Sequence, residues 1–127
     1  MRLLRRVWAL PASLPGLLLA LPMCAGGASV RLSEGTLEVC GGTLGRLAGR
    51  LPPACRFDAI TLGHVILARD ARALDACRAH ERVHVRQYER WGLLFYPLYL
   101  GASLWLWLRG GRPYLDNPFE REARALS

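Results

Sequence analysis

The chain has 127 residues, 52% of them hydrophobic, and a formal net charge of +7. That length gives one domain plus attachments, and the apolar share with a positive mean hydropathy exceeds what a soluble domain of this size usually carries, so part of the chain is expected to meet lipid. The positive charge comes from Arg alone, spread along the chain with no recognisable nucleic-acid-binding motif, which ranks membrane lipid first among partners and leaves no nucleic acid expected.

After Arg2, Arg5 and Arg6 an apolar run extends from residue 7 to about residue 25 and meets the small residues Ala25-Gly26-Gly27-Ala28. Residues 1–28 therefore read as a signal sequence or as an uncleaved membrane segment. Pro22 and Met23 stand where a lipid-attachment motif before Cys24 would need small residues, and Pro11, Pro15 and Pro22 make a straight spanning helix imperfect. The uncleaved segment is the preferred reading.

Residues 29–127 read as an α+β domain. Residues 29–32 and 36–40 flank Ser33-Glu34-Gly35, a hairpin pattern. A short helix over 44–51 would end at Pro52-Pro53, and residues 58–62 and 64–67 give two further strands around Gly63. Cys24, Cys40, Cys55 and Cys77 form no Cys-x-x-Cys pair, so they define neither a zinc ribbon nor a disulfide framework; a Cys40–Cys55 bond is open to an exported domain.

Residues 70–90 carry helix formers and no Gly or Pro, with Asp70 placed to cap the start and Gly92 to stop the end. Leu74, Cys77, His80, Glu81, His84 and Tyr88 fall on one stripe of that helix, which predicts that the face carrying the histidines is buried. His80-Glu81-Arg82-Val83-His84 is the His-Glu-x-x-His pattern of zinc hydrolases. Imidazoles at i and i+4 share a face and can reach one Zn²⁺, while Glu81 projects beside the open coordination position as general base. The bland alternative is a pair of core histidines bonded locally.

A catalytic zinc usually takes three protein ligands. The candidates are Glu120 and Glu122, on a helix that Asn117 caps and Pro118 begins; Glu120 also has the Asn-x-x-Glu spacing of a capping box. His64 reads either as an oxyanion or substrate contact or as a satisfied strand histidine, the latter preferred, and Cys77 as a buried thiol close to the ion's face.

Residues 91–108 are apolar and, at about 1.5 Å per residue, come close to crossing a bilayer core of about 30 Å. Spanning would put His80 and His84 on the opposite side from Glu120. The segment is therefore expected to be an interfacial or hairpin-like helix, broken near Pro97 or Gly101, that packs on the histidine helix and dips into the membrane.

The run Ala59-Ile60-Thr61-Leu62-Gly63-His64-Val65-Ile66, followed by Ala79 through Gln87, resembles the zincin-like metallopeptidase core of bacterial toxins and contractile-injection-system proteins. His80 to Gly92, reading His-Glu-Arg-Val-His-Val-Arg-Gln-Tyr-Glu-Arg-Trp-Gly, is similar to short bacterial membrane-associated proteins. The resemblance covers roughly the C-terminal two thirds. It implies a minimal zincin-like fold at a bacterial inner membrane, a peptide substrate, His80, His84 and Glu120 as zinc ligands, and Glu81 as the base. Glu120-Arg121-Glu122-Ala123-Arg124 is similar to the third-ligand helix of Glu-zincins, but Arg124 stands where that pattern has a supporting Asp. The competing expectation is a metal-stabilised, non-catalytic membrane module that binds a partner or lipid.

Overall fold

The computed structural model describes residues 2–33, 35–48, 50 and 58–127. Glu34, the expected helix stop at Pro52-Pro53 and the Cys40–Cys55 pairing lie outside those residues. The class is α+β, as expected.

Among the described residues, β1 (Ser29–Ser33), β2 (Thr36–Cys40), β3 (Ala59–Leu62) and β4 (Val65–Ala68) form one mixed sheet in the order β1-β2-β4-β3. The first two strands make the expected hairpin, with Val30 opposite Val39 and Ser33 opposite Thr36. The last two pair antiparallel with Leu62 opposite Val65, so Gly63 and His64 form the turn, and His64 falls just before the strand expected to contain it. The hairpins join along β2 and β4, which run parallel with Leu37 beside Val65.

Side chains alternate across a strand, so the sheet has two different cores. Val39, Val65 and Leu67 point to one face and pack with Ala20 and Met23 of α1 (Arg2–Ala25). Cys40, Ile66 and Ala68 point to the other and pack with Leu74 and Val85 of α3 (Ala71–Trp91). Between the hairpins, α2 (Gly42–Ala48) begins two residues earlier than expected.

The N-terminal apolar run is thus a wall of the domain. Its small residues Ala9, Ala12, Ser13 and Ala20 are buried at helical spacing, and Gly16 lies so close to the sheet that a Cβ there would come 2.8 Å from Cβ of Val65. Ser13 anchors the turn by accepting a hydrogen bond from the His64 N–H at 2.8 Å. Leu4, Leu10, Leu14, Leu17, Leu18 and Leu21 on the outer side remain exposed.

Asp70 caps α3 as expected, accepting from the Ala73 N–H at 2.7 Å. The buried surface of the helix is wider than the predicted stripe. Val83, Val85 and Gln87 join Leu74, Glu81, His84 and Tyr88, because the helix is packed by the sheet, α1 and α5, while Cys77 and His80 are only half-buried. Arg78 locks the helix to the sheet through Glu38, whose side chain is fully buried, at 2.9 Å.

The break expected near Pro97 or Gly101 is absent, and the helix stop expected at Gly92 is where the chain bends. It turns at Gly92 (φ 58), passes through a single 3-10 turn, and continues as α4 (Phe95–Leu108) without interruption. Pro97 is the third residue of α4, where a missing N–H removes little of the helical ladder, and the positive φ that a bend requires falls on a glycine. Residues 109–117 then fold back along α4. The Gly111 N–H donates to the Leu106 carbonyl at 2.7 Å, Ser103 Oγ to the Pro113 carbonyl at 2.9 Å, and Asn117 Nδ2 to the Tyr99 carbonyl at 3.1 Å. The return delivers α5 (Pro118–Leu126) to the side of α3.

Two helical stretches, Val7–Ala25 and Ala71–Leu108, are long and apolar enough to cross a membrane by length and composition, a property that a core helix or a signal sequence shares.

Candidate metal centre

Helical spacing puts His80 and His84 one turn apart on α3, with ring centroids 5.0 Å apart and planes at 75°. Both present Nε2 to Glu120. His80 Nε2 lies 2.9 Å from Oε2 and His84 Nε2 lies 3.1 Å from Oε1. One ligand atom from each of the three residues falls within 4.8 Å of the others, a grouping that can hold a metal ion. The donor set, two imidazoles and one carboxylate, suits zinc among other divalent ions, and the geometry does not distinguish them.

Glu120 does not serve as a capping-box partner. Asn117 Oδ1 caps α5 by accepting from the Phe119 N–H at 2.9 Å, while the Glu120 carboxylate turns to the two histidines and accepts from the Tyr99 hydroxyl at 2.8 Å. Burial alone would raise its pKa. The hydrogen bond and charge of His84, with bonds from Tyr99 and His80, outweigh that and bring it down to about 2. Burial likewise opposes charge on His84, yet the Glu120 carboxylate beside it leaves its pKa raised above the ordinary 6.5.

Glu122, the rival third ligand, is not part of this group and accepts from Gln87 Nε2 at 3.1 Å. Arg124 donates to the Leu115 carbonyl and so braces the returning segment. The residue that supports a histidine ring is instead Gln87, whose Oε1 lies 2.7 Å from His84 Nδ1. Its place three residues after His84 on the same helix was a readable signal.

Glu81, one residue after His80, is buried beside the cluster. The Thr61 hydroxyl donates to its Oε2 at 2.5 Å. Strand parity explains the contact, since Ala59 and Thr61 share the face of β3 that looks onto α3. Glu81, His84 and Glu120 line a cavity of about 360 Å³ whose other walls include Ile60, Leu62, Phe95, Tyr96, Leu100 and Tyr114. Tyr114 lines the cavity, and burial and the nearby Glu120 push its phenol up to about 12.

No family model, curated protein or solved structure matches this chain.

His64 and Cys77 stand apart from the cluster. His64 Nε2 pairs with Glu89 Oε1 at 3.1 Å and its backbone holds Ser13. Cys77 is half-buried, and burial raises its thiol pKa. Neither lines the cavity.

Proposed function

We propose that this chain is a membrane-associated, zinc-dependent peptidase of the zincin-like type. The observation that carries the reading is the convergence of the His80, His84 and Glu120 ligand atoms beside Glu81 at the wall of a cavity. The likeness of residues 59–88 to zincin-like metallopeptidases, and of residues 80–92 to short bacterial membrane-associated proteins, supports it.

The two Nε2 atoms and the Glu120 carboxylate would hold a zinc ion, which would supply the Lewis acidity to polarise a peptide carbonyl and to bring the pKa of a water toward about 7. Glu81 takes the proton of the attacking water and passes it to the amide nitrogen as the C–N bond breaks, so that water is consumed and a carboxylate and an amine are released. Thr61 holds the Glu81 carboxylate in place. Tyr114 offers a donor at the cavity wall near Glu120, and the apolar walls fit an uncharged side chain beside the scissile bond.

Lipid contact is the reading of the outer faces. Leu14, Leu17 and Leu18 on α1 and Leu104, Trp105 and Trp107 on α4 are exposed, and Arg109 closes α4 over the Trp105 ring at 5.1 Å, an arrangement suited to an interface.

The test is zinc per chain and hydrolysis of a peptide library by the purified full chain and its Glu81→Gln variant. One zinc in both, with turnover in the wild type alone, is expected. Zinc without turnover in either would favour a metal-stabilised module that binds a partner or lipid, and turnover by Glu81→Gln would remove Glu81 as the base.

A further inference from the structure

We propose that Gln87 is a positioning residue that fixes the tautomer of His84 with Nε2 open toward the metal, and that α5 sets the orientation of Gln87. This rests on the metal-centre reading and goes beyond its ligand set.

An amide side chain has a donor end and an acceptor end that resemble each other in shape, so its neighbours decide which way it points. Gln87 is 2% exposed and has three polar neighbours. Its Nε2 donates to the Phe119 carbonyl at 2.9 Å and to Glu122 Oε1 at 3.1 Å. A backbone carbonyl and an ionised carboxylate only accept. Turning the amide over would set its oxygen against both of them and leave both its N–H groups without those partners. The orientation is therefore determined by α5, and it points Oε1 at His84 Nδ1, 2.7 Å away.

The consequence passes to the ring. An amide oxygen has no proton to give, so Nδ1 must carry the one in that bond. In a neutral imidazole the lone pair is then on Nε2, the atom that faces Glu120. Gln87 holds the ring at the atom opposite the coordinating one, as second partners of metal-bound histidines do. It occupies that role from the same helix as the histidine, three residues on. Arg124, at the position where the family pattern has its supporting Asp, contacts Leu115 instead.

Two variants of the full chain separate this role from mere packing. Gln87→Leu keeps the volume but cannot accept from Nδ1; Gln87→Glu still accepts, yet like the first it loses both Nε2 bonds to α5. Zinc affinity should fall about 10- to 100-fold in Gln87→Leu and stay within about threefold of wild type in Gln87→Glu, although both unfold at lower temperature. In zinc-loaded wild type, long-range proton–nitrogen NMR should find the His84 proton on Nδ1. Equal loss of zinc in the two variants, unchanged affinity in Gln87→Leu, or a His84 proton on Nε2 would overturn the assignment. A wild type that binds no zinc would overturn the metal centre itself, and a wild type that binds zinc without turnover would leave the Gln87 result to be read from affinity and NMR alone.

Discussion

The Thr61 hydroxyl and the Glu81 carboxylate meet at 2.5 Å across the gap between the edge strand β3 and the helix that carries both histidines. The bond ties the sheet to the group proposed as the base and leaves the zinc ligands untouched. A hydrogen bond to a charged group is worth about 1.5–3 kcal/mol, so Thr61→Val should lower peptide turnover by about tenfold or more with zinc content unchanged. Kinetics beside elemental analysis would decide it; loss of zinc in this variant would mean that Thr61 supports the whole site.

Zinc binding should weaken as pH falls. His84 has to give up its proton to bind an ion, and its pKa is raised above 6.5, so the apparent affinity should drop by about tenfold per pH unit once pH passes below that raised value. Competition with a zinc-sensitive dye across pH 5–9 would check it, and a flat profile would exclude His84 as a ligand.

The metal-free chain should respond to pH in two directions. The raised pKa of His84 means that its contribution to stability is complete below about 6.5 and is lost as pH rises through the folded value. Glu120, lowered from 4.5 to about 2, contributes above 4.5 and loses that contribution as pH falls through 2. Stability after chelation should therefore be greatest between those limits, and saturating zinc should extend it upward. Thermal unfolding with and without a chelator measures both.

Gly63 turns at φ 67, and a Cβ there would meet the Ser13 hydroxyl at 2.3 Å and its backbone nitrogen at 2.5 Å. Gly63→Ala should destabilise the fold by more than the roughly 1 kcal/mol expected from the left-handed backbone alone, because α1 has to move off the turn. Ser13→Ala removes the acceptor for the His64 N–H and the longer bond, 3.3 Å, that the hydroxyl donates to the Ala9 carbonyl, and should cost about 1–2 kcal/mol. Equal effects in denaturant unfolding would show that α1 does not press on the turn in solution.

Outward leucines should govern lipid binding without altering the fold. Leu18 is 66% exposed and Leu104 56%, on α1 and α4 respectively. Leu18→Glu and Leu104→Glu should each lower partition to anionic vesicles by at least about tenfold, given the roughly 1.5–3 kcal/mol that burial of a leucine supplies. Zinc content should not change. Vesicle sedimentation tests this, and undiminished binding by the double variant would remove lipid contact from these faces.

What was legible in the chain depended on range. His80 and His84 share a face because helical spacing is local, and the Asp70 cap and the strand pairs were equally readable from neighbouring residues. Glu120 was named as third ligand from the resemblance and from the need for an anionic partner, not from its neighbours, since its approach depends on a chain reversal along α4 held by Ser103, Asn117 and Gly111. Gln87 stood in view three residues after His84, but the direction of its amide is decided by Phe119 and Glu122, more than thirty residues away. The N-terminal run read, by composition, as a signal sequence or, by preference, an uncleaved membrane segment. Its wall-forming side was encoded in the small residues Ala9, Ala12, Ser13, Gly16 and Ala20, whose helical spacing only the sheet explains. The stop at Gly92 was readable, whereas the further break was misplaced because Pro97 and Gly101 are conspicuous breakers that α4 accommodates.

The reversal that brings Glu120 to His80 also makes the centre a clasp between segments 40 residues apart in sequence. An ion seated there would close a loop containing all of α4, and closing a long loop removes freedom mainly from the unfolded chain. Stripping the ion should therefore be felt first at the C-terminus. Proteases acting on the chelated protein should find the bonds of residues 109–127 while the sheet and α3 still stand, which would make the tail a gauge of whether the centre is filled.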